Sequence, residues 1–367
     1  MYKYFTELVD FVGSRPKPFD NTKKYISTGA LKTNNISEDD VEMIDYATRP
    51  SRADLEVKNG DILFAKMAFT DKRLLVGEIE EHYIYSTGFF AVKPKEGIIT
   101  SKCLFYLLNS ESFRNQKDIN STGATQKAIT IKGLKKISLR IPEYHIQNQI
   151  GKTLENIDKI IKLKEKQLSA YDQLIKSRFV EMFGNPIKND KEWKLKFLDE
   201  VCDVRDGTHD SPKYYNVGYP LITSKNISNG NIDYSTAQLI CEEDYQNINK
   251  RSKVDNGDIL MPMIGTVGGA IIVRKERDFA IKNVALIKFN TKLVENTFIK
   301  YVLNSDQMNL HFEDLKKGGT QKFIGLKTIR NLPIIVPPIK LQSQFATFVQ
   351  QVDKLKFEVL KLLRELR

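Results

Sequence analysis

The second half of this 367-residue chain restates the first, and that duplication constrains the fold more than any other feature. Val57 to Leu63 reads VKNGDIL and Val254 to Leu260 reads VDNGDIL. FYLLNS (Phe105 to Ser110) is answered by KYVLNS (Lys300 to Ser305), and GATQKAI (Gly123 to Ile129) by GGTQKFI (Gly318 to Ile324). Lys135 to Ile150 then matches Arg330 to Phe345, which pairs Pro142 with Pro337 and Gln147 with Gln342. Upstream, YISTGAL (Tyr25 to Leu31) lines up with LITSKNI (Leu221 to Ile227). The offset holds at 195 to 197 residues throughout, so the chain carries one plan twice.

The plan has two parts. The first is a mixed region of short β-branched and aromatic runs broken by turn signals at Asn59-Gly60, Asn229-Gly230 and Asn256-Gly257, which read as strands and hairpins. Short helical patterns at Cys103 to Ser110 and Phe298 to Ser305 make each globular part α+β. The second part is helical. Ile150, Leu154, Ile157, Ile161, Lys164, Leu168, Tyr171 and Ile175 alternate four and three apart, as do Phe345, Phe348, Val352, Leu355, Val359, Leu362 and Leu366. That is a heptad seam, and each helix follows a proline that cannot sit inside it. Gly184-Asn185-Pro186 stops the first helix.

A single amphipathic helix of this kind ordinarily packs on its own domain; two similar ones favour a paired coil. Connectivity then makes the pair antiparallel, because each helix begins where the preceding globular region ends. The expected architecture is two α/β globular domains related by a pseudo-twofold axis, separated by two long antiparallel coiled-coil helices roughly 40 to 55 Å in length. Expected boundaries are 1–146, 147–184 for the central helix, 185–341, and 342–367 for the distal helix.

Charge points to a class of partner. Lys and Arg exceed Asp and Glu by 57 to 46, a net charge of +11 that draws a protein toward phosphate backbones. Lys enrichment can also come from codon bias, so position has to decide. Two similar basic domains in opposite orientations suit a reader of two spaced segments of duplex DNA, with the helices as a ruler. The scaffold pieces agree between copies, while Asp71 to Tyr85 and Arg205 to Gly218 do not, which predicts two different half-sites.

These residues together resemble the specificity subunit of a type I restriction-modification enzyme. The resemblance spans nearly the whole chain. It rests on the duplicated plan, GDIL in each half, the Gly-x-Thr-Gln loop, the proline followed five residues later by Gln, and FGNP at Phe183 to Pro186. It implies two target-recognition domains, each reading half of a bipartite double-stranded DNA site, and helices that dock two methyltransferase subunits. It further implies that this chain has no catalysis and no cofactor of its own. Partner methyltransferases would bring S-adenosylmethionine, and motor-nuclease subunits ATP and Mg. Two departures stand out: the first half lacks a counterpart of Trp193 and has a shorter opening, and the distal helix is about ten residues shorter than the central one.

Enzyme motifs do not emerge from the sequence. It has no Gly-rich cofactor loop with an Asn/Asp-Pro-Pro-aromatic run, and Gly265 to Ala270 lacks the lysine of a phosphate loop. His82, His145, His209 and His311 show no ligand spacing, and Cys103, Cys202 and Cys241 form no C-x-x-C pair, so neither a metal nor a disulfide framework is expected. No run approaches the roughly 18 apolar residues of a membrane span, and the first residues lack a signal peptide's apolar core, so a cytoplasmic location without membrane contact is expected.

For DNA contact the candidates are polar and basic loop residues, because Arg, Lys, Asn and Gln read base edges while Lys, Ser and Thr hold phosphates. They are Ser27, Thr28, Lys32, Gln126 and Lys127 in the first half. In the second they are Thr223, Ser224, Lys225, Asn226, Gln321 and Lys322, joined by Arg205, Thr208 and His209 of the divergent loop RDGTHD. The competing reading is that the Thr-Gln-Lys loop only caps a turn. At the level of the whole chain, the competing function is a coiled-coil adaptor that binds proteins and no DNA.

Overall fold

A computed structural model describes residues 1–228, 230–264, 268–315 and 323–366. The chain divides into two compact units, Met1–Lys162 and Leu163–Arg367.

In the first unit four antiparallel strands lie in the order Val9–Val12, Phe89–Pro94, Ile62–Ala65, Arg73–Leu75. Ile62–Ala65 is buried at every position, as an unbroken apolar run in a central strand should be. A second sheet runs Glu42–Ile44, Lys23–Ile26, Ile84–Ser86, Ala53–Leu55, and its middle pair is parallel. The second unit repeats this order. Asp203–Asp206, Val284–Lys288, Ile259–Pro262 and Ile271–Ile272 form its antiparallel sheet, and Tyr219–Ile222 lies between Gln238–Ile240 and a parallel Ala280–Ile281. The expected α+β class and duplicated plan are observed.

The repeated NGDIL motif proves to be scaffold. Gly60 (φ 89°) and Gly257 (φ 87°) take left-handed turns that glycine adopts without steric cost. The following carboxylates close those turns: Asp61 accepts the Lys58 N–H at 2.8 Å, and Asp258 accepts the Asp255 N–H at 2.7 Å. Both are buried, and burial pushes the Asp61 carboxyl above its ordinary range.

In each unit a two-stranded ladder pins the opening strand to the strand just ahead of a long helix: Tyr2–Tyr4 with Ser138–Arg140, and Lys194–Phe197 with Pro333–Val336. The helices follow at Tyr144–Phe183 (40 residues) and Ile339–Leu366 (28 residues), about 60 and 42 Å long at 1.5 Å per residue.

The proline-to-glutamine spacing now has a cause. Gln147 is fully buried in the first helical turns, where its amide donates to Ile98 O (2.9 Å) and Pro142 O (3.1 Å) and accepts from the Thr100 N–H (2.8 Å). Gln342 does the same with Leu293 O, Pro337 O and the Glu295 N–H at 2.8–3.0 Å. Each glutamine thus welds a long helix to a loop of its own unit through three otherwise orphaned backbone groups. Gln342→Ala is expected to destabilise the second unit by about 3 kcal/mol, measured by denaturant unfolding. A loss under about 0.5 kcal/mol would mean that water replaces the amide.

Further contacts seat the central helix on the first unit. Gly151 leaves no room for a side chain, since a Cβ there would stand 2.7 Å from the Lys102 Cβ. Lys102 pairs with Glu155 at 2.5 Å, and hydrogen bonds from Lys102 and Lys159 draw the Glu155 carboxyl down to about 2. Tyr106 donates to Asp158 at 2.8 Å.

Within the second unit the two helices run antiparallel. The Phe345 ring lies 5.5 Å from both Phe179 and Phe183, while Lys356 pairs with Asp172 at 2.5 Å, so one helix descends as the other rises. The predicted distal seam needs correction. Phe345, Val352 and Val359 are buried as expected, but Leu355 is 51% exposed and Leu362 only half-buried; Val349 and Leu363 are the buried positions. The face has rotated by one residue because Lys356 takes the inward place at Asp172, its alkyl stem covered and its charge paired.

The central helix ends where FGNP predicted. Gly184 (φ 75°) donates its N–H to Val180 O at 2.8 Å, Asn185 Oδ1 accepts the N–H groups of Ile187 and Lys188, and Trp193 Nε1 donates to Phe183 O at 2.9 Å.

Candidate nucleic-acid interface

In the first unit four loops converge at the end of Ile62–Ala65. The Lys66 N–H donates to Gly88 O (2.9 Å), Lys66 O accepts from Ile129 (2.8 Å), and the Ala68 N–H donates to Lys127 O (2.9 Å). Lys72 Nζ reaches Thr28 O at 2.5 Å. Segments 27–29, 66–72, 87–88 and 123–128 thus share one end of the sheet. Gly123 (φ 139°) makes the last of these possible, because a Cβ would stand 2.5 Å from Gln126 O.

The predicted residues are disposed unevenly there. Gln126 and Lys127 are exposed, the former with only a 3.4 Å contact to Met67 Sδ. Ser27 and Thr28 sit half-buried beside them; Ser27 Oγ accepts the Ala30 N–H. Lys32 is exposed but held by Asp40 at 2.7 Å.

In the second unit the equivalent end of the sheet carries a depression of about 960 Å³ lined by Thr223, Ser224, Lys225, Asn226, Lys282 and Asn283, among others. The four consecutive sequence candidates do come together here. They differ in availability: Lys225 is exposed, and Ser224 Oγ is buried without a protein partner. Asn226 is buried and closes the loop itself, accepting from the Thr223 N–H and Oγ1 at 2.9 Å and donating to Thr236 Oγ1 at 3.1 Å. Gln321 and Lys322 lie outside the described residues.

Arg205 does not join this group. It lies in a separate depression of about 740 Å³ with Lys250, Arg251 and Arg330, where Asp203 holds its guanidinium and keeps it firmly protonated. His209 connects the two depressions. Its Nε2 stands 2.8 Å from Asp206 Oδ2, a carboxylate that also pairs with Arg251, and its Nδ1 stands 2.7 Å from Asn283 Oδ1. Half-buried Thr208 pairs with Lys282 beneath it. Gly207 lets this loop lie against the sheet, since a Cβ there would approach Ile281 O to 2.2 Å.

Sequence reasoning missed Lys66, Phe69, Lys72, Lys282 and Asn283. Lys66 and Lys282 each directly follow a strand ending in this cluster, which was the available signal; the left-handed backbones of Phe69 (φ 58°) and Asn283 (φ 53°) had none.

Among the described residues no group of three or more His, Cys, Asp or Glu could hold a metal ion, and no helix is long and apolar enough to cross a membrane. The cysteines are free; burial pushes Cys103 up to about 11 and Cys202 up to about 12, far from thiolate reactivity at neutral pH.

The family profile for the type I restriction modification DNA specificity domain matches twice, at residues 14–170 and 190–366. The chain is 22% identical over 291 residues to the type I restriction enzyme MjaVIII specificity subunit of Methanocaldococcus jannaschii, covering 74% of this chain and 68% of that one. It is 21% identical over 353 residues to the EcoKI specificity subunit of Escherichia coli K12, covering 88% and 74%. A solved chain from a study of complex assembly and conformational transition in a type I restriction-modification system superposes with a TM-score of 0.65 at 19% identity. That match covers 100% of this chain and 94% of the other. The chain therefore belongs to the type I restriction-modification specificity family, in which catalysis lies in partner subunits.

Proposed function

We propose that this chain selects the DNA site of a type I restriction-modification complex by reading two separated half-sites, one with each unit. The observation that carries this reading is the repeated loop cluster. The same end of the same sheet bears Thr28, Gln126 and Lys127 in one unit and Ser224, Lys225 and Lys282 in the other, on matching scaffolds; the Thr-Gln-Lys loop recurs in both halves, but Ser27 to Leu31 and Thr223 to Ile227 are unlike in sequence. Like frames with unlike loops are what an asymmetric bipartite site requires. Lysines there neutralise phosphates, and Gln126 and Asn283 supply donors and acceptors for base edges.

In this reading the long helices set the spacer and dock two methyltransferase subunits, which bring S-adenosylmethionine; motor-nuclease subunits bring ATP and Mg. The chain contributes recognition and assembly in the cytoplasm. Replacing residues 190–335 with the corresponding part of another such subunit is the test. One half of the methylated motif should change while the other half and the intervening gap persist. A change in both halves would refute reading by separate units.

A further inference from the structure

Phe69 is held in an arrangement that the fold does not need. The residue is 79% exposed, yet its backbone sits at φ 58°, a region that a bulky side chain avoids and that Gly or Asn would occupy more easily. A strained residue persists only where its surroundings fix it. They do so here from several sides. The Phe69 N–H donates to Asp118 Oδ1 at 2.8 Å, and Lys117, almost wholly buried, caps Met67 O (3.0 Å) and Thr70 O (2.6 Å) on either side. Lys127 O takes the Ala68 N–H, and Met67 bridges Ala128. A buried ammonium here serves chiefly to hold a surface turn that displays an aromatic ring.

Phe69 lies between Lys66 and Lys72 on a segment that Ala68 and Met67 tie to the loop of Gln126 and Lys127; Lys127 is exposed there, while Lys66 and Lys72 donate to Thr87 O and Thr28 O. We propose that Phe69 is a wedge that inserts between stacked bases of the half-site read by this unit and unstacks one step. This rests on the DNA-recognition reading above. An apolar side chain on a rigid turn amid phosphate-binding lysines is the usual instrument for opening a base step, because the lysines bring the duplex close and the brace keeps the ring from folding back. The second unit is not equipped in the same way, since its sequence from Gly265 to Gly269 has no aromatic residue. The distortion is therefore confined to one half-site.

The test uses the full chain assembled with its methyltransferase subunits, on a duplex carrying the motif that the complex methylates. Single 2-aminopurine substitutions are placed at positions other than the methylated adenine, and fluorescence reports loss of stacking. The wild-type complex should brighten one step in the first unit's half-site and none in the second's. Phe69→Trp should keep the signal, and Phe69→Ala should abolish it and weaken binding about tenfold. Phe69→Gly should melt no lower than wild type, since it relieves strain at an exposed position. A Phe69→Ala complex that assembles, binds and brightens the same step overturns the wedge alone. One that no longer assembles makes Phe69 a contact to the methyltransferase, with Ile119 (80% exposed) next in sequence to the Asp118 that accepts the Phe69 N–H, and also overturns the wedge. A wild-type complex that does not bind the duplex removes the recognition reading itself.

Discussion

DNA binding by the assembled complex is expected to weaken about a thousandfold between 50 and 200 mM salt. Each phosphate neutralised by a lysine releases condensed counterions, so the logarithm of affinity falls linearly with that of salt, at a slope near the number of contacts. Lys127 and Lys225 are exposed at the two loop clusters. Lys127→Gln and Lys225→Gln should each reduce the slope by about one while leaving sequence preference intact. Lys32, already held by Asp40, should change it less. No affinity at any salt would favour the protein-only adaptor, and a salt-independent affinity would contradict binding through phosphate-neutralising lysines. Titrating labelled duplex with the wild-type and variant complexes gives the slopes.

Phe183→Ala should cost the second unit about 4 kcal/mol, enough to leave much of it unfolded under mild denaturant. Phe183 is wholly buried where the central helix ends, with ring centroids at 4.8 Å to Phe298, 5.1 Å to Phe179 and 5.5 Å to Phe345. Those partners belong to the same helix, the short helix Asn296–Leu303 and the distal helix, so one truncation loosens three elements. The edge-to-face packing adds to the area term. Phe357, 62% exposed on the distal helix, supplies the contrast: its truncation should change stability by less than about 0.5 kcal/mol. Chemical denaturation followed by Trp193 fluorescence measures both, because that indole caps Phe183 O.

The fold was legible where residues recur for structural reasons. Asp61 and Asp258 close identical turns, Gln147 and Gln342 satisfy identical backbone groups, and both pairs survived duplication because nothing else fills those roles. The helix stop was equally plain, since Gly184 needs a left-handed backbone. The distal seam was misread by one position because heptad counting favours an apolar Leu355 over Lys356, whereas the structure buries the lysine's stem and pairs its head with Asp172.

The candidate site was legible only in part. Thr223 to Asn226 were located by their alignment with Tyr25 to Leu31, but sequence could not tell that Asn226 faces inward to bond Thr223 while Lys225 faces out. Arg205 looked suited to a groove, yet Asp203, two residues away, holds it in a different depression. Phe69 left no trace, because a positive φ at an aromatic residue depends on Lys117 and Asp118, nearly fifty residues further along the chain.

The central claim is that one chain reads two separated half-sites. Its most direct test is to map modified bases across the genome of cells expressing this chain with its methyltransferase subunit. The account predicts one methylated motif made of two short, unlike blocks around a fixed gap. A continuous motif, or methylation that persists when residues 190–335 are deleted, would contradict it.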